Sequence, residues 1–177
     1  MAKVKLVNKD EYAIVVLENI EADFTGQGVM QDDSVLDANI KELENGMAVS
    51  VKGKKIILPA AKGDEVLLHA TPCEIYENEK GRNSFRVVNG KGSQPRFFAL
   101  NKYDVFSTNA ATYEETDFAD VAAIKAAING AGAFVVADTD GYWSIVKTVP
   151  AAAKLHGEVL DVVELPNETV GIRIRIA

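Results

Sequence analysis

The residues at the C-terminal end of the chain alternate apolar and polar side chains. Every second position from Val170 onward is apolar and β-branched, and Arg173 and Arg175 lie between them. Successive side chains of a strand point to opposite faces. The pattern therefore predicts an amphipathic strand over residues 169–176, and a further strand is predicted over residues 158–165.

Residues 134–146 have the pattern of a β-hairpin. Apolar runs at 134–137 and 142–146 flank the sequence DTDG at 138–141. An Asp-Gly pair between two such runs favours a tight turn, because glycine adopts the positive φ that these turns need. We predict a hairpin here.

Seven short apolar segments lie between residues 48 and 108, with glycine, proline or Asn-Gly between all but the last two. Short strands with this punctuation are typical of barrels and sandwiches. The predicted strands lie at residues 48–52, 55–58, 65–70, 73–76, 85–88, 96–100 and 105–108.

The first part of the chain is less regular. Apolar runs at residues 3–7 and 12–17 predict two strands, and the second run is apolar on both faces, as in a strand covered on both sides. Residues 22–33 show little periodicity and predict an extended loop.

Two segments have the spacing of helices. Residues 36–47 carry apolar side chains three and four positions apart, with Ser34 as a cap, which predicts a short amphipathic helix. Residues 117–129 predict a second helix that Thr116 or Asp117 caps and Gly130 ends.

The fold class predicted from these elements is mainly β (α+β). It is a short-stranded β barrel or sandwich with one short helix in the C-terminal half and a following β-hairpin. We predict a β-rich part over residues 1–112, with a loop-rich N-terminal segment, and a smaller α+β part over residues 113–177. The two parts can also form one continuous domain, since one core can serve 177 residues.

The charge of the chain limits its partners. The formal net charge is -7, so phosphate backbones and anionic membranes would repel most of the surface. We therefore predict no nucleic acid and no membrane partner.

The basic and aromatic residues between 82 and 98 could form a sheet that stacks RNA bases. We favour the other interpretation, in which Phe85 and either Phe97 or Phe98 are buried.

Candidate catalytic residues are few. His69 and Cys73 are the nearest histidine and cysteine, and four positions of a strand separate them by about 13 Å. A nucleophile needs its base within hydrogen-bond reach, and Pro72 disfavours a helix that would bring them together. We predict no catalytic residue and no enzyme activity, with Cys73 buried as a small hydrophobe.

No metal or cofactor is predicted either. The two histidines and single cysteine are too few for a typical zinc site. The DTDG sequence at 138–141 begins like a calcium loop, but Trp143 and Val149 occupy the sixth and twelfth positions, where glycine and a carboxylate are needed. The GQG sequence at 26–28 lacks the third glycine of a dinucleotide fingerprint.

A series of motifs between Leu43 and Asn109 resembles a known family. Its members in order are ENGM at 44–47, ILPA at 57–60, EVLLHATP at 65–72, the charged turn YENEKG at 76–81, PRFFAL at 95–100 and YDVFS at 103–107. This order resembles the capsid decoration proteins, or auxiliary head proteins, of tailed bacteriophages. The resemblance implies a virion structural protein on the capsid exterior, assembled in the host cytoplasm, that clamps subunits of the major capsid protein and stabilises the expanded head.

The loop at residues 21–33 is the predicted contact segment. Phe24, Val29 and Met30 are apolar residues in a segment that looks separate from the core, and Asp32 and Asp33 follow them. Such residues favour contact with the major capsid protein, although they could instead cover the end of the barrel. We also expect a homo-oligomer with cyclic symmetry, with a trimer favoured.

Two other classes of function remain open. The chain could be a different phage structural subunit, in the tail or in head completion, or a small soluble ligand-binding β barrel. A ligand-binding barrel would have an apolar pocket with a few convergent polar groups. A decoration protein would have an exposed apolar contact surface.

Overall fold

A computed structural model describes residues 3–7, 12–20, 24–27, 40, 42–52, 55–71, 88–89, 95–166 and 168–177. These residues form short strands and one helix, which confirms the mainly β, α+β fold class. The strands are β1 (Lys3–Lys5), β2 (Val15–Asn19), β3 (Phe24–Gln27), β4 (Leu43–Glu44), β5 (Ala48–Lys52), β6 (Lys55–Ile57), β7 (Leu67–His69), β8 (Val88–Asn89), β9 (Arg96–Ala99), β10 (Val105–Thr108), β11 (Ala111–Glu114), β12 (Phe134–Ala137), β13 (Trp143–Val146), β14 (Gly157–Glu164) and β15 (Val170–Ile176); the helix is α1 (Val121–Ile128).

The local β patterns are confirmed where they fall on described residues. β5 and β10 have the predicted bounds, and β12 and β13 form the predicted antiparallel hairpin, with Gly141 at a φ of 83° in its turn. β15 buries its isoleucines and exposes Arg173 and Arg175. The predicted strand at 73–76 lies outside the described residues.

The large sheet has eight strands in the order β1-β11-β13-β12-β14-β15-β10-β2. β11 and β10 lie five positions apart, which is about 24 Å in a flat sheet at about 4.8 Å per strand. Along the chain only Asn109 and Ala110 connect them, and this link spans at most about 11 Å. The sheet must therefore curl, although it does not close into a barrel among the described residues.

The curled sheet surrounds the main core. The rings of Phe106 on β10 and Trp143 on β13 are fully buried, with centroids 5.6 Å apart. The indole N–H of Trp143 donates to the carbonyl of Gly46 at 2.9 Å, so its polar group is satisfied. The helix α1 adds Ile124 to the same core.

A smaller sheet lies between this core and a second apolar cluster. Its order is β3-β9-β7-β5-β6. Ala48 and Leu68 pair across β5 and β7 and belong to the main core, whereas Val49 and Phe97 belong to the second cluster. Alternation along these strands therefore buries both faces of the smaller sheet.

Two predictions for the N-terminal part are wrong. β2 begins at Val15, and Val16 and Leu17 are exposed, because this strand is the last of the large sheet and is not covered on both sides. Residues 43–44 form strand β4, which pairs with β8, and not the end of a helix. The start of that predicted helix lies outside the described residues.

The helix α1 starts later than predicted. Its N-cap is Asp120, whose carboxylate accepts a hydrogen bond from the backbone N–H of Ala123 at 2.8 Å. Neither Thr116 nor Asp117 is the cap.

The predicted boundary at residues 112–113 falls within β11, and strands from both predicted parts share the large sheet.

Buried polar side chains hold the link between β10 and β11, which we call the β10–β11 corner (Thr108, Asn109 and Ala110). The side-chain oxygen of Asn109 accepts from the N–H of Ile14 at 2.8 Å, and its amide donates to the Thr169 hydroxyl at 3.1 Å. The Thr108 hydroxyl donates to the carbonyl of Ile14 at 2.7 Å. The corner therefore joins the segment before β2 to the start of β15.

Gly46 lies against this corner, and replacing it tests the corner's importance. Its φ is 88°, and a Cβ there would lie 2.1 Å from Oγ1 of Thr108 and 3.1 Å from Cβ of Ala110. We expect Gly46→Ala to lower the free energy of unfolding by about 3 kcal/mol or more, through left-handed strain and overpacking. Urea denaturation measures this change.

Gly132→Ala is the matched control. Gly132 has a φ of 89°, but its Cβ would meet the Phe134 ring at 3.4 Å, an ordinary contact. Only the backbone strain then applies, and the expected loss is about 1 kcal/mol. Equal losses in the two variants would contradict the importance of the corner.

Candidate functional site

The edge strand β2 exposes apolar side chains. Val16 is 36% exposed and Leu17 is 40% exposed. β2 pairs with β10 along one side, and no strand in the described part of the chain pairs along its other side. An edge of this kind offers unpaired backbone groups and apolar surface to another chain.

The two exposed residues of β2 belong to different faces. Leu17 lies opposite Phe106, on the face that carries the main core. Val16 lies opposite Ser107, on the outer face. One exposed apolar side chain therefore lies on each face of the large sheet at this edge.

Polar contacts fix the position of β2. The Ser107 hydroxyl donates to the carboxylate of Glu18, and Arg173 of β15 forms an ion pair with the same carboxylate. Exposed ion pairs contribute little to stability. Since the two partners come from β10 and β15, their main effect here is to define how β2 lies on the sheet.

The turn that enters β10 precedes the last residue pair between β10 and β2. Tyr103 is 63% exposed, and the Lys102 ammonium lies 5.2 Å from its ring centroid. β10 begins two residues later at Val105, which pairs with Asn19 of β2. We call Val16, Leu17, Lys102 and Tyr103 the edge surface.

The edge surface holds three of the five large hydrophobic side chains that are exposed in the described residues; the five are Val16, Leu17, Val51, Tyr103 and Val170. Sequence reasoning missed this surface. The signal that pointed to it was the polar pair Glu18-Asn19 directly after the apolar run, which is typical of a strand that leaves the core.

The predicted contact residues are described only in part. Phe24 lies in β3, where it pairs with Phe98 of β9. Val29, Met30, Asp32 and Asp33 lie outside the described residues. Their contact with a partner stays a prediction.

His69 is fully buried in the smaller sheet. Its Nδ1–H donates to the carbonyl of Glu44 at 2.8 Å, because a carbonyl can only accept. Nε2 of the neutral ring then accepts from the Thr71 hydroxyl at 3.1 Å. Both ring nitrogens therefore serve the fold, while Cys73 lies outside the described residues.

The carboxylate of Glu44 anchors the N-terminal segment. It accepts from the hydroxyl of Tyr142 at 2.6 Å and from the backbone N–H of Ala13 at 2.6 Å. Burial raises the pKa of Tyr142, and the nearby carboxylate of Glu44 raises it further. Tyr142 therefore acts as a neutral donor in this network.

The DTDG turn at residues 138–141 binds a lysine of its own chain. The ammonium of Lys3 lies 2.8 Å from Asp138 and 3.5 Å from Asp140. Burial raises the pKa of Asp138, but hydrogen bonds from Lys3 and from the backbone of Thr139 outweigh it, so this pKa lies below its usual range. The described residues contain no cluster of three metal-ligating side chains.

The sequence predicts that either Phe97 or Phe98 is buried. Phe97 is 2% exposed, and its ring centroid lies 5.7 Å from that of His69. Arg82, Phe85 and Arg86 lie outside the described residues. A ring buried in this way is not available to stack on a base.

A cleft of about 290 Å³ is lined by residues of β5, of the start of β7 and of the end of β9, together with Leu155. Ser50 and Glu65 supply polar side chains to a lining that is otherwise apolar. This volume is at the lower end of small-molecule pockets, which measure roughly 300–1,000 Å³.

The described part of the chain contains no helix that is long and apolar enough to cross a bilayer. In comparisons with known proteins, the chain matches no protein-family model, no curated protein and no solved structure.

The burial of His69 predicts a pH dependence of stability. Burial lowers the pKa of His69 from 6.5 to about 4, partly offset by its hydrogen bond to Glu44. Between these values the unfolded chain binds a proton that the folded chain does not. The free energy of unfolding should therefore fall as the pH falls through this window, by up to about 3 kcal/mol.

Urea denaturation between pH 7 and about pH 4 measures this dependence, with His69→Gln as the comparison. Glutamine does not titrate, so the variant should start less stable and lose less stability as the pH falls. The same loss in both proteins would show that His69 does not cause it.

Proposed function

We propose that this chain is a virion structural protein, a capsid decoration subunit that binds the major capsid protein and stabilises the expanded head. It would lie on the capsid exterior after assembly in the host cytoplasm. Two observations support the proposal: the order of motifs between Leu43 and Asn109, and the exposed apolar edge of the large sheet.

The edge surface is the observation that carries the proposal. A monomer gains nothing for its own stability by exposing Val16 and Leu17, one on each face of an edge strand, and such edges are prone to pair with other chains. A partner that covers this edge would bury both side chains and pair the backbone of β2.

The described motifs of the resemblance fall on both sheets, and the motif at residues 76–81 lies outside the described residues. The segment around Gly46, together with β7 and β9, forms or contacts the smaller sheet, and β10 adjoins β2.

The net charge of -7 also suits this role. An acidic subunit is steered toward positive surface on a partner, and this raises the rate of encounter more than the final affinity. A homo-oligomer with cyclic symmetry, such as a trimer, would present several copies of the edge surface to neighbouring capsid subunits.

The alternatives differ in the surface they would use. A tail or head-completion subunit would also bind protein, with a different partner. A ligand-binding protein would instead use the cleft of about 290 Å³ between β5, β7 and β9. We favour protein binding because the exposed apolar groups concentrate at the edge surface.

Co-sedimentation with expanded, empty heads tests the proposal. The heads come from the phage that encodes this chain and are made without this subunit. We expect the purified protein to saturate at a fixed ratio to the capsid subunits and to increase the resistance of the heads to heat. No binding to competent heads would refute the proposal.

Leu17→Lys should reduce head binding by at least about tenfold, because a charge at the apolar edge opposes its burial. The matched control is Val170→Lys, since Val170 is similarly exposed at 42% and also lies in a strand. Circular dichroism confirms that both variants are folded. Equal binding by the two variants would exclude the edge of β2 as the contact.

A further inference from the structure

The turn between β11 and α1 carries carboxylates without cationic partners. Glu115, Asp117 and Asp120 follow one another closely, and none of them forms an ion pair with a described residue. The neighbouring Glu114 differs, because its carboxylate lies 4.0 Å from the ammonium of Lys62. We call Glu115, Asp117 and Asp120 the acidic patch.

The fold accounts for only one of these three carboxylates. Asp120 caps α1, since it accepts from the N–H of Ala123 at 2.8 Å. Acidic side chains also stabilise a helix from within its first turn, but the first turn of α1 contains none. Glu115 and Asp117 precede the cap, and their side chains accept no hydrogen bond from a described residue. Stability therefore does not explain why they carry charge.

A buried tyrosine lies at this turn. Tyr113 is 6% exposed, and its ring belongs to the main core together with Phe118 and Ile124. The backbone N–H groups of Asp117 and Phe118 donate to the carbonyl of Glu114 at 2.9 and 3.0 Å. This tight turn reverses the chain after β11, so the start of α1 packs next to the Tyr113 ring.

The hydroxyl of Tyr113 has no hydrogen-bond partner among the described residues. Tyrosines whose rings are buried usually have a partner for this group. Burial raises the pKa of Tyr113, and the carboxylates of Asp120 and Glu115 raise it further. Charges have such an effect at short range, so the hydroxyl points toward the acidic patch with its hydrogen-bonding capacity free.

The chemistry of these groups indicates a guanidinium as the ligand. Carboxylates accept hydrogen bonds only, and a phenol oxygen can accept one as well. A metal ion fits poorly, because no three metal-ligating side chains cluster in the described part of the chain. A guanidinium is always charged, and its planar set of five N–H donors can reach several acceptors that are spread apart.

On the basis of the proposed function, we propose that the acidic patch and the Tyr113 hydroxyl bind an arginine side chain of the major capsid protein. The guanidinium donates to the carboxylates of Glu115 and Asp120 and to the phenol oxygen, and Asp117 adds to the attraction. This contact does not involve the edge of β2. It gives the attraction between the acidic subunit and a positive partner a defined place on the surface.

Tyr113→Phe tests the site without changing the net charge. The variant keeps the ring in the core, and the hydroxyl has no partner in the fold, so the free energy of unfolding should not fall. The affinity for expanded heads should fall by about tenfold, the effect of losing one hydrogen bond to a charged group. Urea denaturation and co-sedimentation measure the two quantities. Unchanged affinity would refute the site.

Two double variants separate the acidic patch from the overall charge. Glu115→Gln with Asp117→Asn and Asp161→Asn with Glu164→Gln each change the net charge from -7 to -5. Asp161 and Glu164 are exposed on β14. Only the first pair should weaken head binding by about tenfold or more, and its binding should depend less on salt than that of the wild-type protein. Equal losses would mean that net charge alone matters.

A peptide probe distinguishes this inference from the proposed function. The free protein is titrated with an acetylated Arg-Gly-Arg peptide, and NMR follows the signals of Tyr113 and Glu115. Shifts that Tyr113→Phe weakens are expected. If they occur but the wild-type protein does not bind heads, the capsid as partner and the proposed function are refuted. If heads bind but neither the peptide shifts nor the effect of Tyr113→Phe appears, only the arginine site is refuted.

Discussion

The two-residue link between β10 and β11 constrains the curvature of the large sheet. It brings together strands that would lie about 24 Å apart in a flat sheet, and the resulting curl encloses Phe106 and Trp143. The corner is possible because Asn109 and Thr108 satisfy the backbone groups of Ile14. Buried backbone groups without partners would each cost about 1–3 kcal/mol. The short link and the hydrogen bonds of Thr108 and Asn109 therefore both act at the β10–β11 corner.

The curl also decides which surfaces remain for binding. β1 and β2 become the two ends of the large sheet, and β2 carries apolar side chains at its exposed edge. The turn that enters β10 keeps Tyr103 in a left-handed conformation through bonds to Ile176. Stability alone favours neither the exposed valine and leucine nor the strained tyrosine. The exposed Val16 and Leu17 of the edge strand are the physical basis for proposing a contact surface there.

Residues 36–47 show why hydrophobic spacing can mislead. Leu43 and Met47 are both buried in the second cluster, as the helical spacing predicts. They reach it from a strand and a turn, because Gly46 at a φ of 88° reverses the chain between them. Spacing records which side chains are buried, and a helix is only one way to bury residues four positions apart. The start of α1 was misplaced because several residues before Asp120 are also good caps.

The sequence by itself determined the fold class, the hairpin at residues 134–146 and the amphipathic last strand. Alternation and turn chemistry are local properties, so neighbours in the chain suffice to define these elements. Only the tertiary structure decided that Val16 and Leu17 are exposed, that His69 is buried as a neutral ring, and that Tyr103 is strained. Each of these depends on strand order or on hydrogen bonds between residues far apart in the chain, which no local pattern records.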